Sequence, residues 1–215
     1  MAATLPLAPD VTSTRLILDM AEVGRVVLSP GRKFTDDEFL DFCQQHKMLR
    51  IERNGEGEVI LRAPVGSEGG LREFEIAAEL RAWARPNGKG VVLASSAGIT
   101  LPDGSVFSPD ACFIPLERWR AIPPNKRETF APVVPSFVIE LRSRTDRMKD
   151  LREKMLSYLQ NGVELGWLID PQSRSVSVYR SGQTEPTELD DPECVLGEGP
   201  VEGFVLNLKE IYDRV

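Results

Sequence analysis

The order of helical and strand-like runs predicts an α/β (α+β) fold with one mixed central β-sheet flanked by helices. Three observations carry this expectation. Short apolar runs at 136–141 and 165–169 have the length and composition of buried strands. Between them, Met148, Leu151, Met155 and Leu159 form one stripe of a helix over 146–161, which Asn161-Gly162 ends. Upstream, two strand-like runs, 48–53 and 58–63, flank the turn Asn54-Gly55-Glu56-Gly57 and predict a hairpin. The chain has 215 residues, of which 41% are hydrophobic, enough to bury a full core.

The remaining elements follow in order. Residues 1–30 read as an N-terminal arm, and 31–215 as one domain. Thr35-Asp36-Asp37-Glu38 has the capping-box form and starts a helix carrying Phe39, Phe42 and Met48. Residues 66–70 read as a loop. Phe74, Ala77, Ala78, Leu80 and Trp83 then space a helix over 72–85, closed by Pro86-Asn87-Gly88. Strands are predicted at 90–95, 98–101 and 106–114, the last two joined through Pro102-Asp103-Gly104. Residues 115–135 contain five prolines and read as a long surface loop with at most one helical turn. Asp146 is placed to cap the 146–161 helix. A strand at 175–179, an apolar strand near 204–206 and a short terminal helix complete the chain.

Composition narrows the chemistry. A net charge of -7 argues against a surface that grips nucleic acid everywhere, though a local basic groove is compatible with it. Cys43, Cys112 and Cys194 match no zinc pattern and are odd in number, which points to a reducing, cytoplasmic setting. The N-terminal residues lack the basic and apolar regions of a signal peptide, and no apolar run approaches membrane-spanning length. His46 is the one histidine, so chemistry needing a Ser–His pair or several His ligands has little scope. It reads as a surface helix residue. A hydrolase using Cys112 or Ser108 would lack an adjacent base.

Two acids stand out. Along Phe137-Val138-Ile139-Glu140-Leu141-Arg142, alternation places Val138, Glu140 and Arg142 on one face. A carboxylate in such a run needs a partner or a cation. A salt bridge to Arg142 or to a lysine explains it as well as a functional site does. In Ser108-Pro109-Asp110, the proline holds an acid where the chain enters a strand, and a turn aspartate is the plainer explanation. If the two strands pair, the acids form one constellation. Two carboxylates with a backbone carbonyl make a hard oxygen site suited to Mg²⁺ or Mn²⁺. The segment from Arg142 to Lys154 carries six basic and three acidic residues. It is either a solvated helix face with Asp150 and Lys154 paired, or a phosphate-contacting stripe. Lys154 borders the apolar stripe and can reach back toward Glu140.

Pro109-Asp110, then Phe137 to Ser143, then Asp146, Lys154, Tyr158 and Gly162, then Gly166-Trp167-Leu168-Ile169-Asp170-Pro171 follow one another in an order that resembles the Uma-two family. These are restriction-endonuclease-like proteins of the PD-(D/E)XK nuclease superfamily. Leu101-Pro102-Asp103-Gly104 and Glu117-Arg118-Trp119 also fit, and the likeness covers roughly residues 31–212. It implies a restriction-endonuclease-like core and a metal-dependent endonuclease acting on DNA. The metal, Mg²⁺ or Mn²⁺, would be held by Asp110, Glu140 and the Leu141 carbonyl. Arg142 stands where the superfamily has its lysine, and a guanidinium is no base at neutral pH. The lysine role falls to Lys154. Arg142, Arg144 and Lys149 are expected to contact phosphates. Among Glu73, Glu75 and Glu79, Glu79 is the expected additional helix acid. By analogy, a homodimer would supply two sites for double-strand cutting. The competing expectation is a catalytically inactive nuclease-fold protein that binds nucleic acid or serves in assembly.

Overall fold

A computed structural model describes residues 25–86 and 88–213. Most of the expected arm thus lies outside the described residues. The chain divides into two compact units, Met1–Pro64 and Val65–Val215.

In the first unit, strands β1 (Arg25–Leu28), β2 (Arg50–Arg53) and β3 (Val59–Arg62) pair antiparallel in the order β1-β3-β2. The hairpin is where the turn residues put it: the Asn54 side chain accepts the Glu58 N–H at 2.8 Å. Gly57, at φ 89°, takes the left-handed turn that glycine permits. β1 has no sequence signal strong enough to separate it from the arm. Helix α1 (Asp36–Gln45) begins with the expected capping box, the Thr35 hydroxyl accepting from Glu38 N–H and Glu38 accepting from Thr35 N–H. It buries Phe39 and Phe42 and ends before Met48, which is exposed. Arg53, itself buried, stacks over Phe39 and pairs with Asp36 at 2.6 Å. Thr35→Ala removes the cap and is expected to cost about 1 kcal/mol; a thermal melt showing no loss would count against that role.

The second unit opens with α2 (Ser67–Ala84). This helix starts five residues earlier than predicted, because Gly69 and Gly70 sit in its first turns rather than in a loop. After it come β4 (Gly90–Ala94), β5 (Ile99–Thr100), β6 (Val106–Phe107) and β7 (Ala111–Pro115). The single strand expected over 106–114 is thus two strands, broken at Ser108-Pro109-Asp110. The expected long loop holds two short helices, α3 (Leu116–Ala121) and α4 (Pro124–Arg127), and strand β8 (Ala131–Pro132). Prolines before or at the first positions of both helices are compatible with helix starts, which a count of prolines as loop signals overlooks. β9 (Phe137–Leu141), α5 (Met148–Gln160), β10 (Leu165–Asp170) and β11 (Ser175–Arg180) follow. The chain ends with β12 (Thr187–Asp190), a small hairpin of β13 (Cys194–Leu196) and β14 (Val205–Asn207), and α6 (Lys209–Tyr212).

The central sheet has six strands in the order β12-β11-β10-β9-β7-β4. It is mixed: β9 and β10 run parallel, and the other neighbours are antiparallel. A parallel pair needs a crossover, and α5 supplies it. Each face of the sheet carries its own core. Phe137, Ile139 and Leu141 pack with Ile76, Leu80 and Ala84 of α2 and with Trp167 and Phe204. Val138, Cys112 and Leu168 pack with Leu151, Met155 and Tyr158 of α5. The alternation read along β9 therefore separates two buried faces, helix α2 on one and α5 on the other. Gly166 of β10 lets α5 come close: a methyl group there would overlap the end of Met155 and press on Val138.

Candidate active site

β7 and β9 are antiparallel, with Ala111 opposite Ile139 and Cys112 opposite Val138. Continued by one residue, this register sets Asp110 opposite Glu140, on one face of the sheet. Pro109 ends the preceding segment and delivers Asp110 at the point where β7 begins. Asp110 is buried, and its Oδ2 accepts the Leu141 N–H at 2.8 Å. The aspartate thus ties the end of β9 to the start of β7.

Glu140 is also buried, at 3% exposure. Its Oε1 lies 2.8 Å from Lys154 Nζ and accepts the Tyr158 hydroxyl at 2.9 Å. Lys154 and Tyr158 are one helical turn apart, so both reach the same carboxylate from α5. Phe107 of β6 covers them: its ring is 5.6 Å from Lys154 Nζ and meets the Tyr158 ring edge-on at 5.3 Å. Lys154 is 7% exposed, so its ammonium depends on these neighbours.

Arg142 follows on the same face. Its Nη1 donates to Asp170 Oδ2 at 2.7 Å, and its Nε makes a longer bond of 3.4 Å to the Asp146 carbonyl. Burial pushes the Asp170 carboxyl up, but bonds from Arg142, Ser173 and the Gln172 N–H outweigh this and hold it below its ordinary value. Asp146 does not cap α5 as expected. Its Oδ2 accepts the Ser143 N–H at 2.9 Å, and the residue before the helix, Arg147, makes no side-chain cap. The short side chain bonds within its own turn instead.

The other expected residues are more dispersed. Arg144 and Lys149 are exposed, and Lys149 is 3.8 Å from Glu153. Glu79 lies on α2, whose buried stripe packs against the face opposite Glu140. His46 ends α1 against the Phe42 ring, and burial lowers its pKa. The Cys112 thiol is buried and pushed up to about 12, which removes the thiolate a nucleophile needs. Among the described residues, no three acidic, cysteine or histidine side chains gather as a metal-binding group. The oxygen donors placed together are Asp110 and Glu140, with Leu141 beside them. Also among the described residues, no helix is long and apolar enough to cross a membrane.

Tyr158 and Asp170 stand in the motif run of the sequence without a role, and Phe107 is not in it; the structure places Tyr158 and Phe107 against the Glu140–Lys154 pair and Asp170 against Arg142. Tyr158 has a usable signal, standing four residues after Lys154. Phe107 has none, because its proximity depends on the turn after β6.

Residues 36–209 match the family model Uma2, described as "Putative restriction endonuclease". No curated protein matches the chain. A solved structure from Anabaena variabilis ATCC 29413, described as a "putative nuclease belonging to DUF820", superimposes with a TM-score of 0.66. It is 22% identical in sequence, over 83% of this chain and 97% of that one. At that identity the likeness establishes a shared fold.

Proposed function

The chain belongs to the Uma2 family, and on that premise we propose that it is a Mg²⁺- or Mn²⁺-dependent endonuclease hydrolysing DNA phosphodiester bonds. The observation that supports this most is the meeting of Asp110, Glu140 and Lys154, from β7, β9 and α5, on one face of the sheet. Hard carboxylate and carbonyl oxygens suit Mg²⁺ and Mn²⁺, which take few protein ligands and keep waters or substrate phosphates for the rest. Asp110, Glu140 and the Leu141 carbonyl would hold the ion. Bound there, it would supply Lewis-acid polarisation of a phosphoryl oxygen and a lowered pKa for water.

The chain's own groups do the rest. Tyr158 and Lys154 hold the Glu140 carboxylate in one orientation. The Lys154 ammonium, shielded by Phe107, can stabilise negative charge that builds on the phosphoryl oxygens. Arg142, Arg144 and Lys149 would contact the DNA backbone. The purified protein should cut DNA in Mn²⁺, and Asp110→Ala should abolish cutting. Equal activity in both proteins would sink the assignment.

A second reading has one observation in its favour. Glu140 already has a cationic partner, as a non-catalytic ion pair would. The protein would then be an inactive nuclease-fold module that binds nucleic acid or serves in assembly. Calorimetric titration with Mn²⁺ separates the two: no binding, or binding unchanged by Glu140→Ala, favours the inactive module.

A further inference from the structure

β9 and β10 are parallel, with Glu140 beside Leu168 and Leu141 beside Ile169. One residue further, Asp170 stands beside Arg142. The two residues therefore lie at the C-terminal ends of the parallel strands, on the face that carries Glu140. Ligands of α/β sheets gather outside such strand ends.

Asp170 is buried and uses both oxygens: Oδ2 accepts from Arg142, and Oδ1 accepts the Gln172 N–H at 2.9 Å. Gln172 in turn donates from Nε2 to the Ser143 carbonyl at 3.2 Å. The turn from Arg142 to Asp146, which links the strand of Glu140 to the helix of Lys154, is thereby tied to the end of β10. Arg142 itself is different in kind. Its side chain remains 24% exposed, and its Nη2 has no acceptor among the described residues. A guanidinium held through Nε and Nη1 has a fixed plane and an amino group left to offer. That is the form of a site for one phosphate oxygen.

We propose that Asp170 is a positioning residue, which orients Arg142 to bind a backbone phosphate of the DNA beside Glu140. This rests on the nuclease reading for its ligand, and it adds a residue and a division of labour to it. Arg142 touches the phosphate; Asp170 acts only through Arg142. An isolated salt bridge would make a different prediction, because its loss would alter stability and leave DNA affinity untouched.

The test is binding of a fluorescein-labelled DNA duplex by the full chain, followed by anisotropy in Ca²⁺ over a salt series. Arg142→Gln should weaken binding and lower the log–log salt slope by about 1. Asp170→Asn should weaken binding by a large part of the same factor. The double variant should bind no more weakly than Arg142→Gln alone, since the two act as one unit. Arg142→Lys keeps the charge but loses the fork, so it should keep the wild-type salt slope and still bind more weakly; it also serves if Asp170→Asn does not fold. Wild-type affinity in Asp170→Asn or in Arg142→Lys, or additive losses in the double variant, would overturn the proposal. If the wild-type protein binds no DNA, the nuclease reading itself falls and takes this one with it.

Discussion

Lys154→Met is expected to lower stability by about 3–5 kcal/mol, because it leaves the Glu140 carboxylate buried without its cation. The geometry behind this figure is a 2.8 Å pair with both side chains nearly excluded from water. The Tyr158 hydroxyl remains and offsets only part of the loss. Cleavage in Mn²⁺ should fall by about 10²–10³-fold if the ammonium stabilises phosphoryl charge. The informative comparison is the double variant Glu140→Gln with Lys154→Met. Removing both charges abolishes the uncompensated carboxylate, so the double variant should be more stable than Lys154→Met alone. On the nuclease reading it should remain inactive, since a proposed metal ligand is lost as well. Denaturant unfolding measures the first contrast and a cleavage assay the second. A Lys154→Met protein as stable as wild type would mean that the pair contributes nothing to folding.

Trp167→Ala should cost a similar amount, about 3–5 kcal/mol, without touching the charged site. Trp167 is fully buried on the α2 face of the sheet, edge-on to Phe137 at 4.8 Å and stacked on Phe204 at 5.6 Å. Its removal leaves a cavity beside both rings. Trp167→Phe should be much milder, because it keeps an aromatic ring and removes an indole N–H with no hydrogen-bond partner among the described residues. Similar losses in both variants would show that the cavity is not the dominant cost. If the proposed activity holds, residual folded protein of either variant should cleave DNA at a rate near wild type, because the proposed site occupies the opposite face.

Those two faces are legible in the amino-acid pattern alone. Period-two alternation assigns Glu140 to one side of β9 and Phe137, Ile139 and Leu141 to the other. The stripe of α5 and the capping box of α1 are equally plain, because each is set by neighbours within one or two helical turns. Local chemistry fails where context overrides it. Two glycines look like a loop but fit the first turns of α2. Prolines near 115–135 look like loop residues, although they are compatible with the starts of α3 and α4. Pro109 marks Asp110 as a strand entry, but the division of 106–114 into β6 and β7 does not show in the apolar pattern.

The sequence by itself determined the alternation along β9 and the apolar stripe of α5, but not every buried position: Phe74, read as part of the α2 stripe, is exposed. Residue type and spacing offered two acids and a nearby lysine as candidates, and the resemblance to the Uma-two family gave them roles. Partner choice was decided by the tertiary structure alone. Glu140 had two candidate cations, Arg142 two positions along its own strand and Lys154 on the next helix. Once β10 pairs beside β9, Asp170 arrives next to Arg142 and takes it, while Gly166 lets α5 approach and bring Lys154 and Tyr158 to Glu140. The physical reason is range: an ion pair forms with whichever charge the packed elements bring within a few ångströms, and that depends on register and crossover across the whole sheet.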